Sequence, residues 1–178
     1  MARLAALLGS INVGGNRLAM ADLRAALDAA GFANVATVTA SGNVLFDGDP
    51  ERSDEYAAQI AGIIATKFGI TTFAVVTNRE GLLAAVIENP FAADGADNLV
   101  HVHFLEAAPV PAGFDQLSAD HAVRGQERLA AGTGVLHIDF VDGAGNSKLT
   151  GPFIAKRLGC RGTARNIRSI RRIAEAMV

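Results

Sequence analysis

The order of strand-like and helix-like runs in the first 77 residues constrains the fold more than any other feature of the sequence. Leu4 to Ser10 is a short apolar run that predicts a buried strand, and apolar residues at helical spacing then continue to about Ala30. Two β-rich runs, Val35–Thr39 and Val44–Asp47, flank the tight-turn sequence Ala40-Ser-Gly-Asn43 and predict a hairpin. The first four elements are therefore strand, helix, strand and strand.

A second helix is predicted from Asp49-Pro50 to about Phe68, where Gly69 ends it, and a strand follows over Thr71–Thr77. The completed order, βαββαβ, is that of the ferredoxin-like unit. A short helix ending at Ile87 comes next and is stopped by Asn89-Pro90. The first half of the chain is thus predicted to be α+β with an antiparallel sheet.

The second half repeats most of this order. Its predicted elements are the strand Leu99–Leu105, a short helix near Phe114–Leu117, the hairpin strands Glu127–Ala131 and Val135–Val141, and the helices Lys148–Leu158 and Thr163–Arg172. The last of these, an amphipathic helix, stands where the first half has its fourth strand. We predict an α+β protein of two ferredoxin-like halves, residues 1–90 and 91–178, which can count as one compact domain.

Positive charge is concentrated at the end of the chain. Residues 148–178 hold eight of the sixteen Lys and Arg but only one of the eighteen Asp and Glu, so their formal charge is +7. The first 147 residues carry eight bases and seventeen acids, a formal charge of −9. This asymmetry predicts either an anionic partner for the basic segment or its docking onto the acidic part of the chain.

Composition narrows the classes of protein that remain. Cys160 is the only cysteine, which excludes a disulfide framework and a multi-cysteine zinc site within one chain. Tryptophan is absent and Tyr56 is the only tyrosine, so the sequence offers few of the tryptophan and tyrosine side chains on which proteins that bind single-stranded nucleic acids stack the bases. No apolar run approaches the roughly 20 residues that span a bilayer, and the run beginning at Leu4 feeds a glycine turn. We expect a cytoplasmic protein without a membrane partner.

The first candidate site is the turn that contains Asn12, Gly14 and Gly15. Glycines allow successive backbone N–H groups to point into one concavity, and a following helix N-terminus adds positive potential. Such turns bind phosphate in other proteins. The alternative is a tight connection in which Asn16 caps the helix.

The second candidate site is the glycine turn before the helix predicted at Lys148. Asn146 or Ser147 is the predicted cap residue, and Lys148 falls in the first helical turn, where a cation opposes the helix dipole. A local conflict of this kind favours an anion site. A salt bridge to an acidic part of the chain is the alternative.

The third candidate is the arginine face of the last helix. Ile167, Ile170, Ala174 and Met177 form one stripe that predicts the packing face, and Arg165, Arg168 and Arg172 lie on the other side. Guanidinium groups pair bidentately with phosphate or carboxylate. The alternatives are a solvated charged face and docking onto an acidic surface.

Alternating polar residues on two strands raise the question of a metal site. His101 and His103 alternate along one predicted strand, and His137 and Asp139 along another. If the four side chains shared one sheet face, they would suit a metal of the imidazole and carboxylate type. The commoner alternative is an exposed polar face, and no metal is predicted.

Five segments together resemble a known bacterial family, the domain of unknown function 1697. The resemblance rests on their order along essentially the full chain: Ala6-Leu-Leu-Gly-Ser-Ile-Asn-Val-Gly-Gly15, Ser41-Gly-Asn-Val-Leu-Phe46, Asn89-Pro-Phe91, Ser147-Lys-Leu149 and Thr163-Ala-Arg-Asn166. It implies two ferredoxin-like halves and no established activity, substrate or catalytic residue. The chain departs from the family pattern in having Gly9-Ser10 before the first glycine turn, and Ile167-Arg-Ser169 where the family has a tryptophan.

The leading functional hypothesis is a protein that binds a phosphate-bearing small molecule or nucleotide, with no cofactor. The expected contacts are the two glycine turns and the arginine segment, namely Asn12, Gly14, Gly15, Ser147, Lys148, Arg165, Asn166 and Arg168. A second hypothesis is nucleic-acid binding through the arginine helix, and a third is a purely structural or interaction role. The sequence leaves open whether any reaction is catalysed and whether the protein forms a homodimer.

Overall fold

The structure is a computed structural model that describes residues 1–12 and 14–178. The described chain forms eight strands and six α-helices, with a short 3₁₀ helix at Pro50–Arg52 before α2. In chain order the elements are β1 (Ala2–Leu8), α1 (Met20–Ala29), β2 (Ala33–Val38), β3 (Asn43–Gly48), α2 (Ser53–Phe68), β4 (Ala74–Asn78), α3 (Arg79–Ile87), β5 (Val100–Leu105), α4 (Gly113–Ala122), β6 (Arg128–Ala131), β7 (Val135–Asp139), α5 (Gly151–Leu158), β8 (Gly162–Asn166) and α6 (Ile167–Glu175).

The chain divides into two compact units. The first unit comprises Met1–Leu82 and Arg172–Val178, and the second unit comprises Leu83–Arg171. The sequence predicts a boundary between residues 90 and 91, whereas the division falls eight residues earlier and returns the last seven residues to the first unit.

The first unit contains an antiparallel sheet with the strand order β2-β3-β1-β4. On one face of β1, Leu4, Ala6 and Leu8 pack into a core with Leu23 of α1 and Ile60 of α2, among others. Helix α2 ends where Gly69 adopts a left-handed conformation, with φ of 65°. The apolar run of β1 thus positions both helices on one side of the sheet.

The second unit contains an antiparallel sheet with the corresponding order β6-β7-β5-β8. Its core joins Leu136 and Ile138 of β7 to Leu117 of α4 and to Ile154 and Leu158 of α5. The predicted fold class, α+β with two similar halves built on antiparallel sheets, is confirmed.

One predicted element is wrong in kind. The segment Gly162–Asn166, predicted as part of a helix, is strand β8, and it pairs with β5 from His101 to Leu105. Burial alternates along it, with Thr163 and Arg165 buried and their neighbours more exposed. An open edge of β5 supplies backbone partners for the segment, and this pairing overrides its local helical pattern. The second unit therefore has a complete βαββαβ order.

Two helices have different bounds from those predicted. Helix α5 begins at Gly151 rather than at Lys148, because Thr150 is its N-cap and accepts a hydrogen bond from the Phe153 N–H at 3.3 Å. Helix α4 runs over ten residues, Gly113–Ala122, where the sequence predicts a shorter helix near Phe114–Leu117. The stripe predicted for α6 is confirmed, since Ile167, Ile170, Ala174 and Met177 are all buried.

Candidate functional site

In the first glycine turn, the side chain of Asn12 is used to build the turn itself. Its Nδ2 donates to the backbone oxygens of Leu18 (3.0 Å) and Ala40 (2.8 Å), and its Oδ1 accepts from the Leu18 N–H at 2.8 Å. The amide therefore holds the chain after β1 against the β2–β3 turn. Its donors and acceptor are directed into the protein, so Asn12 has a structural part that the sequence does not reveal.

Gly14 and Gly15 are exposed, and both have positive φ, 64° and 107°. Helix α1 begins only at Met20, with Ala19 as an N-cap that makes no side-chain hydrogen bond. The expected cap Asn16 instead donates to the Ser10 oxygen at 3.1 Å, so the predicted capping role of Asn16 is wrong. Val13, in the same turn, lies outside the described residues. The two glycines are thus separated from the helix N-terminus that was expected to reinforce them.

In the second glycine turn, Ser147 is tied down and Lys148 is exposed. The Ser147 hydroxyl donates to Oε1 of Glu127 and accepts from the Leu149 N–H at 3.0 Å. Lys148 precedes the cap residue Thr150 and lies outside the helix, so the predicted conflict with the helix dipole is absent. Among the described residues, no carboxylate forms a salt bridge with Lys148.

Strand pairing brings four of the predicted residues to one end of the second sheet. Asp139, the last residue of β7, lies beside Val100, the first residue of β5. Asn166, the last residue of β8, lies beside His101. The segments that follow β7 and β8 therefore leave the same end of the sheet and carry Ser147 and Lys148 in one case and Asn166 and Arg168 in the other.

The residues at the start of α6 have distinct roles. Asn166 accepts a hydrogen bond from the Ser169 N–H at 2.8 Å and so caps the helix. Arg168 is exposed, while Arg171 forms an ion pair with Asp97. The other arginines of the second unit are largely paired as well: Arg128 with Asp94 and Asp139, Arg157 with Asp120, and Arg161 with Glu106. Within the described chain, neither Arg168 nor Arg172 forms a salt bridge.

Arg165 lies on β8 rather than on the arginine helix, and it is 7% exposed. Its Nη1 donates to the Thr163 hydroxyl at 2.7 Å and to the Ala164 oxygen at 2.9 Å. Burial lowers the pKa of Arg165 to about 10. The predicted arginine face of α6 is thus smaller than expected, because its first member points into the protein.

The four polar residues considered for a metal do not share one sheet face. In the antiparallel register, His101 and His103 lie opposite Ile138 and Leu136, whereas His137 lies opposite Val102 and Asp139 opposite Val100. Opposed residues project on the same side, so the two histidines of β5 project away from His137 and Asp139. The described residues contain no group of three His, Cys, Asp or Glu that could hold a metal ion.

Sequence reasoning missed two side chains at this end of the second sheet, His121 and Glu127. His121 is the penultimate residue of α4 and Glu127 immediately precedes β6. Both side chains are largely buried, with Glu127 in contact with Ser147 and His121 in contact with Glu127. No spacing signal connects them, because twenty residues separate Glu127 from Ser147.

A separate groove of about 590 Å³ lies between α1 and α2 in the first unit, and none of the predicted site residues lines it.

The sequence of the chain matches the model of a known protein family. A family model described as protein of unknown function (DUF1697) matches residues 1–137. The chain belongs to this family. The match ends before Ser147, Lys148, Arg165 and Asn166, so the family model covers the first glycine turn but not the second.

A solved structure extends the likeness of this DUF1697 member over the whole chain. The structure of the conserved bacterial protein SP0830 from Streptococcus pneumoniae matches with a TM-score of 0.66 and 20% sequence identity, covering 99% of this chain and 98% of that one. A likeness at this identity shows the fold alone. No curated protein matches the chain. In the part of the DUF1697 chain that the structure describes, no helix has the length and apolar character needed to cross a membrane.

Proposed function

We propose that the protein binds the phosphate group of a small molecule at the end of the second sheet that carries Lys148 and Arg168. One observation carries the proposal. Lys148 and Arg168 are exposed cations on segments that leave the same end of the sheet, and no described carboxylate pairs with either. Phosphate oxygens are the natural partners of ammonium and guanidinium groups that lack a counter-charge.

The start of α6 adds to the positive potential at this end. Helices carry a partial positive charge at the N-terminus, and Asn166, Ile167 and Arg168 form that terminus. The neighbouring acids Asp94, Asp97 and Asp139 are each held by an arginine, so they offset the charge of Lys148 and Arg168 less than free carboxylates would. A phosphate-bearing metabolite or nucleotide is therefore the class of ligand that this end favours.

The other predicted contacts take smaller parts in the proposal. Asn12 has a structural role in its turn, which leaves the backbone of Gly14 and Gly15 as the anion contact offered by the first unit. Arg165 contributes positive charge from a buried position. We also propose that both halves are variants of the ferredoxin-like unit, because each sheet has the order of that unit, and that the protein works in the cytoplasm.

Binding is tested by titrating inorganic phosphate, ATP, ADP and glucose 6-phosphate in calorimetry and thermal-shift assays. A ligand present at 100 times its dissociation constant should stabilise the protein by about 2.7 kcal/mol. K148A and R168A should each weaken binding by about 10-fold, because each removes a charged hydrogen-bond donor. The matched controls are K156A on α5 and R24A on α1, both exposed cations outside the segments that carry Lys148 and Arg168, and they should leave the affinity unchanged.

Two results would overturn the proposal: no stabilisation by any of the four ligands, or equal weakening in the control variants. Nucleic-acid binding is the second candidate, favoured by Arg168 and Arg172, two exposed arginines of α6 for which residues 1–12 and 14–178 supply no salt-bridge partner. It predicts an affinity for DNA or RNA that falls steeply with salt and is lost in R168A/R172A. The burial of Arg165 weakens this candidate, since it removes one cation from the helix face.

A further inference from the structure

In the second unit, close contacts link the side chains of Ser147, Glu127 and His121. Ser147 directly precedes Lys148 in the sequence. The Ser147 hydroxyl donates to Oε1 of Glu127, and Oε2 of the same carboxylate lies 3.2 Å from Nε2 of His121. The Nε2 of His121 is also 3.2 Å from the backbone oxygen of Glu127. The carboxylate therefore stands between a hydroxyl and an imidazole that come from different segments of the chain.

The side chains of His121 and Glu127 are buried although both are polar, and apolar packing does not account for this burial. The side chains of His121 and Glu127 are 5% and 10% exposed. Oε2 of Glu127 and Nδ1 of His121 are buried without a hydrogen bond from any described residue. Incompletely satisfied buried polar groups are costly, and such groups concentrate at sites of chemistry.

Glu127 is held in its ionised form. Burial by itself would raise the pKa of Glu127, but the hydrogen bond from Ser147, two backbone N–H groups and the nearby His121 together hold the pKa below its usual value. A carboxylate that is ionised near neutral pH and accepts a hydrogen bond from a hydroxyl is placed to take that proton.

Gly125 keeps the space that this carboxylate needs. A Cβ at position 125 would lie 2.1 Å from Oε2 of Glu127 and 3.0 Å from Cε1 of His121. A side chain at position 125 would therefore require the Glu127 carboxylate to move from its observed place beside His121. A nucleophile, an adjacent base and a third group that orients the base form the general signature of nucleophilic catalysis.

We propose that Ser147 is a phosphoryl acceptor, with Glu127 as its base and His121 as the positioning residue that holds Glu127. The Ser147 oxygen attacks the terminal phosphorus of an acyl phosphate or a nucleoside triphosphate and forms a new O–P bond. The P–O bond to the leaving group breaks, and its electron pair departs with a carboxylate or a nucleoside diphosphate. The hydroxyl proton passes to Oε1 of Glu127 and then to solvent.

Lys148 supplies the positive charge for the transferred group. It follows Ser147 directly in sequence and is exposed, so its ammonium can pair with the equatorial phosphoryl oxygens as the nucleophile approaches. This inference rests on the proposed function, because it requires phosphate to bind at this end. It adds a reaction to binding, and the two are separable by experiment.

The test is incubation of the purified full chain with acetyl phosphate in one arm and with ATP and magnesium in the other. Intact mass spectrometry should show the gain of one phosphoryl group, and peptide mapping should locate it on Ser147. S147A should abolish the gain, while S118A, a half-buried serine of α4, should retain it. Because the loss of a general base costs about 100-fold or more, E127Q should slow modification by at least that factor. E106Q, which changes the glutamate paired with Arg161, should not slow it.

His121 is tested by rescue. H121A should slow modification because Glu127 loses the group that holds it, and H121Q should restore much of the rate because an amide N–H can contact the same oxygen. If His121 had only a structural role, the modification rate of each variant would instead fall in step with its melting temperature. The circular dichroism spectrum and the melting temperature are therefore measured for each variant. S147A is the smallest of these changes, so it still tests whether Ser147 accepts the phosphoryl group if E127Q fails to fold.

The proposal is overturned if neither donor modifies the protein, if the phosphoryl group maps to another residue, or if E127Q reacts as fast as the parent. These failures are distinct from failure of the proposed function. Inorganic phosphate binding is measured in parallel: loss of binding in K148A/R168A with no adduct in any variant would leave binding standing and remove the reaction. Modification by acetyl phosphate alone, or by ATP alone, would identify the donor class.

Discussion

In the second sheet His103 and His137 are buried and His101 is half-buried, and this burial makes the stability of the protein depend on pH. His103 is 4% exposed, and its Nε2 has no hydrogen-bond partner among the described residues. Burial, with a smaller contribution from His101, lowers the pKa of His103 to about 4. Burial likewise lowers the pKa values of His101 and His137.

We expect the free energy of unfolding to fall as the pH drops from about 6.5 to about 4. In this window the unfolded chain binds a proton at His103 and the folded chain does not, so stability rises with pH and is lost on acidification. The depressed pKa of His103 alone corresponds to about 3 kcal/mol. Urea unfolding at closely spaced pH values measures the slope.

H103L provides the comparison for this slope. The variant should lose less stability than the parent between pH 6.5 and 4, by about 3 kcal/mol, because it lacks the buried imidazole of His103. Parallel pH profiles for the parent and H103L would contradict the prediction. Gly162 packs against the His103 ring, since a Cβ there would lie 2.4 Å from Nε2, so a smaller side chain at 103 is accommodated better than a larger one.

The start of α5 shows how a single cap residue sets the geometry of the candidate site. Thr150 accepts from the Phe153 N–H, and Pro152 fits the first turn because it needs no backbone donor there. Residues 141 to 149 are consequently free of the helix and form the segment that carries Ser147 and Lys148. The position of the cap therefore decides that Lys148 is a loop residue.

T150A should destabilise the protein by about 1 kcal/mol, because the Phe153 N–H loses its acceptor. N146A removes the residue that the sequence nominates as a possible cap, and it should change the stability by less than about 0.5 kcal/mol. T150S should behave as the parent, since it keeps the hydroxyl. Thermal unfolding of the three variants measures the difference, and an equal loss in T150A and N146A would show that α5 begins earlier.

Most elements of the fold are predictable from the sequence, and β8 is the instructive exception. Apolar periodicity and glycine stops identify both hairpins and α2, because those signals are local. The segment from Gly162 to Asn166 has no strand pattern of its own and becomes a strand by pairing with the open edge of β5. Local sequence cannot report an available partner elsewhere in the chain, so tertiary pairing prevails over propensity.

The candidate site was only partly predictable for the same reason. Ser147, Lys148 and Arg168 are visible as glycine-turn and arginine signals, whereas Glu127 contacts Ser147, and His121 contacts Glu127, only after folding. Asn12 shows the opposite error, because its amide looks available in the sequence and is used within its own turn. Chain order gives candidate residues, and hydrogen bonding decides which remain available to a ligand.

At the scale of the whole molecule, the division into units passes through helix α6. Ile170 belongs to the second unit and Ile173 to the first, although both are fully buried on the same helix. I170A and I173A should each cost about 2–5 kcal/mol, because each leaves a cavity in a buried site. Hydrogen exchange should show protection lost mainly in residues 83–171 for I170A, and mainly in residues 1–82 for I173A.

The hydrogen-exchange pattern tests whether the two units lose protection independently of each other. Identical loss of protection across both units in the two variants would contradict the prediction. An exposed residue of the same helix provides the control, and E175A should leave exchange unchanged in both units.

The discontinuous first unit also has a consequence for synthesis on the ribosome. Residues 83–171 are contiguous, whereas residues 1–82 are completed only by residues 172–178. Domains generally fold as units while the chain emerges from its N-terminus. The unit that is translated first is therefore the last to receive all of its residues, and Ile173 and Met177 reach it only after residues 83–171 have been translated.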